Sequence, residues 1–301
     1  MPDEQAAYNA IKNNKEKFGT FHKSCFHVHT PESYDYHLKS DWSVNDYQNA
    51  TEQEVFDLCI NKMGFNNIKN INNINNFTLE GELMCFSNKK EMFAFMLLAE
   101  TIIENDIEHV LITDHHTIKG IPKLKTAISI LYNMKKRRVY PEVLLGIEIS
   151  CADKNHIVGI FEDISENVVE INNWLDDNLL SVKDGSFKTS IEVLEFIHSI
   201  GGIGYIAHID TSDIFNEKYL SGAYKNKLLS DSVLQIIGIS NYTKIEYIKN
   251  KLQQYRSSEI KVVIDNDAHD IDTIPKNIFW IKGSKRTYSM IKKRLMTMTF
   301  P

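Results

Sequence analysis

Short runs of β-branched and other apolar residues alternate with amphipathic segments along most of this 301-residue chain. Strand followed by helix, repeated, is typical of a mainly parallel sheet, either open or closed into a barrel. The number and length of the strands favour a barrel, which commonly needs about 250 residues. Apolar periodicity predicts helices over 89–105, 190–199 and 244–255, and strands over 24–28, 110–113, 143–149, 156–161, 204–207, 234–239, 261–264 and 278–281.

The composition permits a large hydrophobic core. The net charge does not give the protein a positive electrostatic field that would attract polyanions. Hydrophobic residues make up 43% of the chain and charged residues 25%, which is typical of a globular protein. Acidic residues number 40 and basic residues 34, so the net charge is -6. A polyanion would therefore have to be held by local patches or by metal ions. This argues against a nucleic-acid coat protein and leaves a nuclease open.

Several other classes of protein find little support in the sequence. The four cysteines include no Cys-x-x-Cys pair, which argues against a disulfide framework and a structural zinc ribbon. The N-terminal segment MPDEQAAYNAIKNNKEKFGTF lacks the apolar stretch of a signal peptide, and no run is long enough for a membrane span. We therefore expect a cytoplasmic protein without membrane contact. A phosphate-binding P-loop is missing, so ATP hydrolysis by this chain alone is not expected.

The chain is expected to form a single domain. A helical extension over 1–20 is predicted to precede a barrel over 21–301, which an Asn-rich insertion interrupts at about 61–82. A surface insertion is the simpler interpretation of the Asn-rich segment, and a lid facing the substrate is the alternative.

The first sign of chemistry is the sequence CFHVHTPESYD. His27 and His29 alternate at the end of an apolar strand, so both imidazoles should leave the same face and could bind one divalent ion. Asp35 follows in the next loop and could return to the same place. Alone, such a His-x-His pair is weak support for a metal site, because surface or hydrogen-bonded histidines also occur in this pattern.

Residues suited to metal binding recur at the ends of the later strands. In parallel βα folds these carboxyl ends form the face at which active sites lie. Nitrogen and carboxylate ligands without cysteine suit zinc, manganese or iron. A carboxylate such as Glu148 could bridge two ions about 3.5–4 Å apart. The residues in question are Asp114 and His115, Glu148, His156 at the opening of its strand, His208, and Asp267 with His269.

In order, the motifs HVH, TDHHT, GIE, NHIVGIF, AHI and NDAHD resemble the motif series of the PHP (polymerase and histidinol phosphatase) superfamily. The resemblance runs from about Phe26 to His269, most of the chain. It implies a distorted (β/α)7 barrel with two or three divalent ions, of Mn, Zn or Fe. The implied ligand sets are His27, His29, Glu148 and Asp267; Glu148, His156 and His208; and Asp35, His115 and His269.

Two positions depart from the family pattern. Asp35 stands where several phosphatases of the family have histidine, and Asn266 stands where serine is frequent. Aspartate is a competent ligand, so the site should survive, with the third ion bound more weakly or replaced by a harder metal.

Asp114 has two interpretations: it orients a ligand imidazole, or it forms a turn.

The C-terminal segment FWIKGSKRTYSMIKKRL is similar to the segment that closes the PHP region of TrlF-like proteins, which are PHP–ATPase fusions linked to phage defence. The opening HVHTPESYDY also fits that group. The resemblance implies either a separate ATPase partner or a stand-alone relative. The sequence leaves open whether the protein forms a homo-oligomer.

The resemblance implies hydrolysis of a phosphodiester by a metal-activated hydroxide, with Glu148, Asp267 and His208 as catalytic residues. A nuclease acting on DNA or RNA is the first hypothesis. A small-molecule phosphatase or phosphodiesterase of the histidinol phosphatase kind is the second, and an inactive PHP module that binds a partner is the third. Candidate substrate contacts are Lys154, His116 and Arg286, the last within a basic C-terminal cluster; a solvated or structural role is the alternative for each.

Overall fold

Ten strands carry the fold in the computed structural model, which describes residues 19–63, 74, 78–135, 139–215, 220–283 and 287–297. All eight predicted strands are present, and the short hairpin of β5 and β6 was not predicted. The strands are β1 (Thr20–Val28), β2 (His109–Ile112), β3 (Glu142–Ser150), β4 (His156–Phe161), β5 (Leu179–Ser181), β6 (Gly185–Ser186), β7 (Ile203–Ile206), β8 (Ile236–Ile239), β9 (Lys261–Ile264) and β10 (Phe279–Gly283).

The helices include the three that apolar periodicity predicts, with ends shifted by a few residues at most. Within the described ranges, none combines the length and apolar character that crossing a membrane requires. The α-helices are α1 (Val44–Asn49), α2 (Glu52–Met63), α3 (Lys89–Glu104), α4 (Gly120–Lys135), α5 (Ser165–Asn178), α6 (Ser190–Ser199), α7 (Gly222–Ser230), α8 (Ile245–Leu252) and α9 (Tyr288–Thr297), and the short 3-10 helices are Gly81–Cys85, Asp213–Phe215 and Tyr242–Lys244.

Eight strands form one mixed sheet in the order β10-β1-β2-β3-β4-β7-β8-β9. The pairs β1–β2, β2–β3, β7–β8 and β8–β9 are parallel, as the sequence predicts. Strand β4 is antiparallel to both β3 and β7, and β10 is antiparallel to β1. Because β4 runs in the opposite direction, its first residue lies at the same edge as the last residues of β3 and β7. His156 therefore shares that edge with the carboxyl ends of the parallel strands.

The two sides of the sheet meet through backbone hydrogen bonds between the end of β1 and the segment after β9. The Asn266 N–H donates to the Phe26 carbonyl (3.0 Å) and the His29 N–H donates to the Ala268 carbonyl (2.8 Å). The sheet is therefore a nearly closed barrel, consistent with a PHP barrel. The count of seven β/α units stays a prediction.

Alternate strand residues pack on the two faces of this barrel. Leu111 of β2 and Val158 of β4 belong to an inner cluster, whereas Val110 and Ile157 belong to the larger cluster under the helices. Helix α9 adds Ile291 and Leu295 to the inner cluster. Burying such a side chain contributes roughly 1.5–3 kcal/mol, so α9 is a structural part of the barrel.

Helix α9 closes the end of the barrel that lies away from the carboxyl ends of the parallel strands. Lys292 donates to the Gly201 carbonyl (2.7 Å), two residues before β7, and Tyr288 donates to the same carbonyl (3.0 Å). The described part of the basic C-terminal cluster thus lies at the opposite end from the predicted ligands. Arg286 lies outside the described residues, as do residues 1–18 and most of the predicted insertion at 61–82.

Candidate metal centre

The centre begins where β1 ends. A register shift between Cys25 and Val28 marks a bulge, and His27 adopts a positive φ of 67°. Both histidines of the His-x-His pair then face one carboxylate, with His27 Nε2 at 2.9 Å and His29 Nε2 at 3.3 Å from Glu148 Oε2. The predicted convergence of the two imidazoles is present.

Glu148, near the end of β3, is fully buried among histidines. Its Oε1 accepts a hydrogen bond from His156 Nδ1 (2.9 Å) and lies 3.4 Å from His208 Nε2. Its Oε2 lies 3.3 Å from His115 Nε2, in addition to the two histidines of β1. Burial alone would raise the pKa of Glu148, but the positive charges of His27 and His115 outweigh it and lower the pKa well below its usual value. Glu148 is therefore an ionised carboxylate placed to bridge.

Asp35 forms the second focus. Its Oδ2 lies 3.0 Å from His115 Nε2 and 3.0 Å from His269 Nε2. Burial would raise the pKa of Asp35, but hydrogen bonds from His115 and His269 lower it further than burial raises it. Burial would likewise lower the pKa of His269, yet its hydrogen bond to Asp35 raises that pKa to about 9. The loop after β1 thus returns Asp35 to the site, as predicted.

Asp267 lies on the more exposed side of the centre. Its Oδ1 is 3.5 Å from His27 Nε2 and 3.7 Å from His29 Nε2. Burial would raise the pKa of Asp267, but the charge of His27 and the nearby His29 imidazole lower it. The carboxylate is therefore ionised and faces the same two imidazoles as Glu148.

Several buried donor atoms of the centre have no hydrogen-bond partner among the described residues. These atoms are His27 Nε2, His29 Nε2 and Glu148 Oε2. The two nitrogens lie 2.9 and 3.3 Å from Glu148 Oε2, but without the geometry of hydrogen bonds. Such orphaned polar atoms are costly unless something satisfies them, and a divalent cation between them would do so. The donor set of imidazole and carboxylate fits manganese, zinc or iron.

Three groups of donor atoms, each within 4.8 Å of one another, could hold ions. The first group below is the first ligand set that the family resemblance implies. The second group contains the implied third set together with His29. The last group contains Glu148 and His156 of the implied second set, with His115 in place of His208. The assignment of ligands to individual ions stays a prediction. The groups are His27, His29, Glu148 and Asp267; His29, Asp35, His115 and His269; and His115, Glu148 and His156.

Backbone strain is concentrated at this edge of the barrel. Positive φ values at residues other than glycine are uncommon, and they cluster where a site holds its side chains in place. Among the described residues, six have one, and only Asp106 lies away from this edge. The other five are His27, His116, Lys154, His208 and Asp267.

Asp265 is the functional residue that sequence analysis missed. It is fully buried, and its Oδ1 accepts a short hydrogen bond from His27 Nδ1. Its Oδ2 accepts a hydrogen bond from the His208 N–H (2.6 Å). Asp265 thus fixes the ring of His27 so that Nε2 faces Glu148, as carboxylates behind ligand histidines commonly do. The available signal was its place directly after a predicted strand, two residues before the candidate ligand Asp267.

Asp114 holds a loop rather than an imidazole. Its carboxylate accepts hydrogen bonds from the backbone N–H and, at 2.7 Å, the hydroxyl of Thr30, directly after His29. Burial raises the pKa of Asp114 to about 7. The interpretation that Asp114 orients a ligand is therefore wrong, and its role is to fix the loop that leads to Asp35.

His116 does not offer a ring nitrogen to a substrate. Its Nδ1 donates to the Val182 carbonyl (2.8 Å), and its Nε2 accepts from the Ser150 N–H (2.9 Å). Burial lowers the pKa of His116 to about 4, which agrees with a neutral ring. The predicted substrate contact is corrected to a structural one. Lys154 is exposed in the turn between β3 and β4, beside His156.

Comparison with known proteins adds a family and a fold. No family model matches the chain. A protein of Streptococcus pneumoniae serotype 4, described as uncharacterized, is 43% identical over 230 residues, which cover 75% of this chain and 86% of that protein. The chain belongs to the same family as this pneumococcal protein.

Two solved structures that share the fold of the chain are described as endonucleases. Endonuclease Q, in complex with a 27-mer duplex substrate with an abasic lesion at the active site, has a TM-score of 0.54 and 12% identity, over 92% of this chain and 56% of its own. A lesion-specific endonuclease from Pyrococcus furiosus has a TM-score of 0.53 and 12% identity, over 93% of this chain and 57% of its own. This chain thus shares the fold of these endonucleases and spans a little over half of their length.

Proposed function

We propose that this protein is a metal-dependent phosphoesterase of the PHP type that cleaves phosphodiester bonds in DNA or RNA. The observation that supports this most directly is the meeting of six histidines and three carboxylates at one end of the barrel, with His208 placed there by its contact with Glu148 and with buried donor atoms left unpaired. The fold shared with Endonuclease Q, whose structure contains a DNA duplex, supports the choice of substrate.

The candidate ligands differ in how deeply they are buried, and we assign their roles accordingly. When bound, divalent ions would lower the pKa of a water and offset the charge that grows on the phosphoryl oxygens. His27, His29 and Glu148, all fully buried, hold the inner position. Asp267 and His208 lie further out, with side chains 35% and 18% exposed, and face the place where a phosphate would enter. Asp265 keeps His27 in the tautomer that presents Nε2.

The outer ligands favour a phosphodiester over a small monoester. The side chains of Asp267, His156 and Asp35 are 35%, 32% and 26% exposed, on different strands and loops around the centre. A phosphate within a longer chain could thus reach the centre from solvent. A small-molecule phosphatase of the histidinol phosphatase kind is the alternative, and an inactive binding module is the third.

The resemblance of the C-terminal segment to TrlF-like proteins supports a proposal about the biological role of this protein. It extends the proposal to a role in phage defence together with an ATPase, in the cytoplasm. Co-purification of the tagged protein from its native host tests for an ATPase and for a homo-oligomer.

Metal analysis combined with a substrate panel tests the proposal. Purified protein is analysed for bound metal and assayed with manganese or zinc on single-stranded DNA, duplex DNA, RNA, phosphate monoesters and a generic phosphodiester. We expect bound metal and cleavage of a polynucleotide. Absence of both metal and activity would contradict the enzyme hypothesis, and activity on monoesters alone would favour the phosphatase.

A double variant tests the site itself. His27→Ala combined with Asp267→Ala should abolish cleavage and metal binding, because it removes two donors of the same group. His198→Ala, in α6, is the matched control because it lies outside the donor groups. Full activity of the double variant would refute the site assignment.

A further inference from the structure

The hairpin of β5 and β6 exposes apolar side chains in a tight and well-held turn. Leu180, Val182 and Phe187 are 66%, 48% and 48% exposed. The Ser181 hydroxyl donates to Asp184 Oδ2 (2.6 Å) and accepts from the Asp184 N–H (3.0 Å), which closes the turn. Exposed apolar residues that lie close together often mark a binding surface. We call residues 180–188 the rim hairpin.

The rim hairpin packs against residues next to the candidate ligands. The Val182 carbonyl accepts from His116, which follows the candidate ligand His115 (2.8 Å). Gly185 packs against the end of β3 so closely that a Cβ there would lie 2.6 Å from the Ser150 carbonyl oxygen. The Ser150 hydroxyl in turn lies 3.4 Å from His156 Nε2. One residue on each path, His116 or Ser150, thus connects the hairpin to a candidate ligand.

Lysines accompany the apolar side chains. Lys183 is exposed at the turn, and Lys188 Nζ lies 5.2 Å from the centre of the Phe187 ring. The Lys188 carbonyl accepts from the Ala152 N–H (2.8 Å), which joins the hairpin to the turn that carries Lys154. Acidic groups lie among these lysines: Asp184 is in the same turn as Lys183, and Lys188 Nζ lies 3.5 Å from Glu192 Oε1, so the hairpin carries cations without a net positive charge. Exposed aromatic rings next to cations are typical of surfaces that bind single-stranded nucleic acids.

We propose that the rim hairpin binds unpaired nucleotides next to the phosphate that is cleaved, with a base stacked on Phe187 and the backbone phosphates near Lys183 and Lys188. The inference rests on the proposed function and narrows it to single-stranded or locally opened polynucleotides. The site of cleavage must lie at the metals, so a neighbouring base of the same strand falls within reach of the hairpin. A phosphate monoester of a small metabolite has no second nucleotide to place there.

A binding measurement tests this without relying on cleavage. Fluorescence anisotropy with a labelled single-stranded oligonucleotide, in the presence of a chelator, gives the Kd of each variant. Phe187→Ala should raise the Kd about tenfold, because a stacked base is lost. Phe187→Trp keeps an aromatic face and should retain binding. Trp280→Ala is the matched control: this aromatic side chain is 55% exposed on β10, away from the centre, and its loss should leave the Kd unchanged.

The salt dependence tests the lysines. Lys183→Gln should reduce the slope of log K against log salt by about 0.7, the value for one phosphate contact with a single strand. An unchanged slope and an unchanged Kd in Phe187→Ala would overturn the inference. So would an equal loss of affinity for a fully paired duplex, since a paired base has no free face.

Kinetics separates failure of this inference from failure of the proposed function. With metal present, Phe187→Ala should raise KM for the oligonucleotide far more than KM for a small chromogenic phosphodiester. If cleavage persists with equal effects on both substrates, the hairpin has no role in substrate binding and the inference fails alone. If no substrate is cleaved but the Kd difference persists, the proposed function fails while the binding surface stands.

Discussion

Asp265→Asn isolates the contribution of one buried carboxylate to metal binding. In the native protein, Oδ1 accepts from His27 Nδ1 and Oδ2 accepts from the His208 N–H. An asparagine keeps the size of the side chain but has only one oxygen. Its amide nitrogen then faces either the imidazole N–H or the backbone N–H, so one donor–acceptor pair becomes a pair of donors.

The expected loss can be estimated from the two contacts. Removal of a carboxylate behind a ligand histidine weakens metal binding by about 10- to 100-fold, which is about 1.4–2.8 kcal/mol. A buried donor left without an acceptor also costs about 1–3 kcal/mol of folding stability. Because both donors belong to candidate ligand residues, the effect on metal binding should exceed that of an equally buried carboxylate elsewhere.

Metal titration against a competing chelator measures the affinity, and urea unfolding of the stripped protein measures the stability. Asp210→Asn is the matched control. Its carboxylate is also buried at this edge and accepts from the Ser240 N–H (2.8 Å) and the Asn241 N–H (3.1 Å), but it contacts no histidine. A metal Kd of Asp265→Asn within about twofold of the native value, in a folded protein, would refute the reasoning.

Three further substitutions test other parts of the fold. Gly238→Ala should weaken metal binding about tenfold, because the new Cβ would lie 2.4 Å from Asp265 Oδ2; native affinity in the same titration would contradict this. His116 has a pKa of about 4 against 6.5 for the free group. The unfolded chain therefore takes up a proton first, and the native protein should lose stability as the pH falls from 6.5 to 4, by about 1.4 kcal/mol per unit at most. His116→Gln should flatten that dependence in urea unfolding, and an unaltered slope would count against the contacts of this ring. Leu295→Ala should destabilise the protein by about 2–5 kcal/mol while metal content per folded molecule stays native; a loss of metal would show that α9 acts on the centre.

Local patterns were sufficient for the strands and for many of the ligands. The β-branched runs at 110–113 and 261–264 correspond to β2 and β9, because such residues favour strands wherever they are buried. The alternation of His27 and His29 also survives the bulge in β1, since both rings still meet Glu148. In these cases the signal lies within a few residues, so the sequence alone reveals it.

The sequence by itself determined the alternation of strands and helices and the residue types gathered at one edge. Only the tertiary structure decided the partners of those residues. The reversed direction of β4 brings His156 to Glu148, and the closure of β9 on β1 brings Asp265 to His27 across 238 residues of sequence. The tertiary structure also decided that both ring nitrogens of His116 form hydrogen bonds with backbone groups. Contacts between distant segments depend on strand direction and register, which are set by the packing of the whole barrel and leave no periodicity in the sequence.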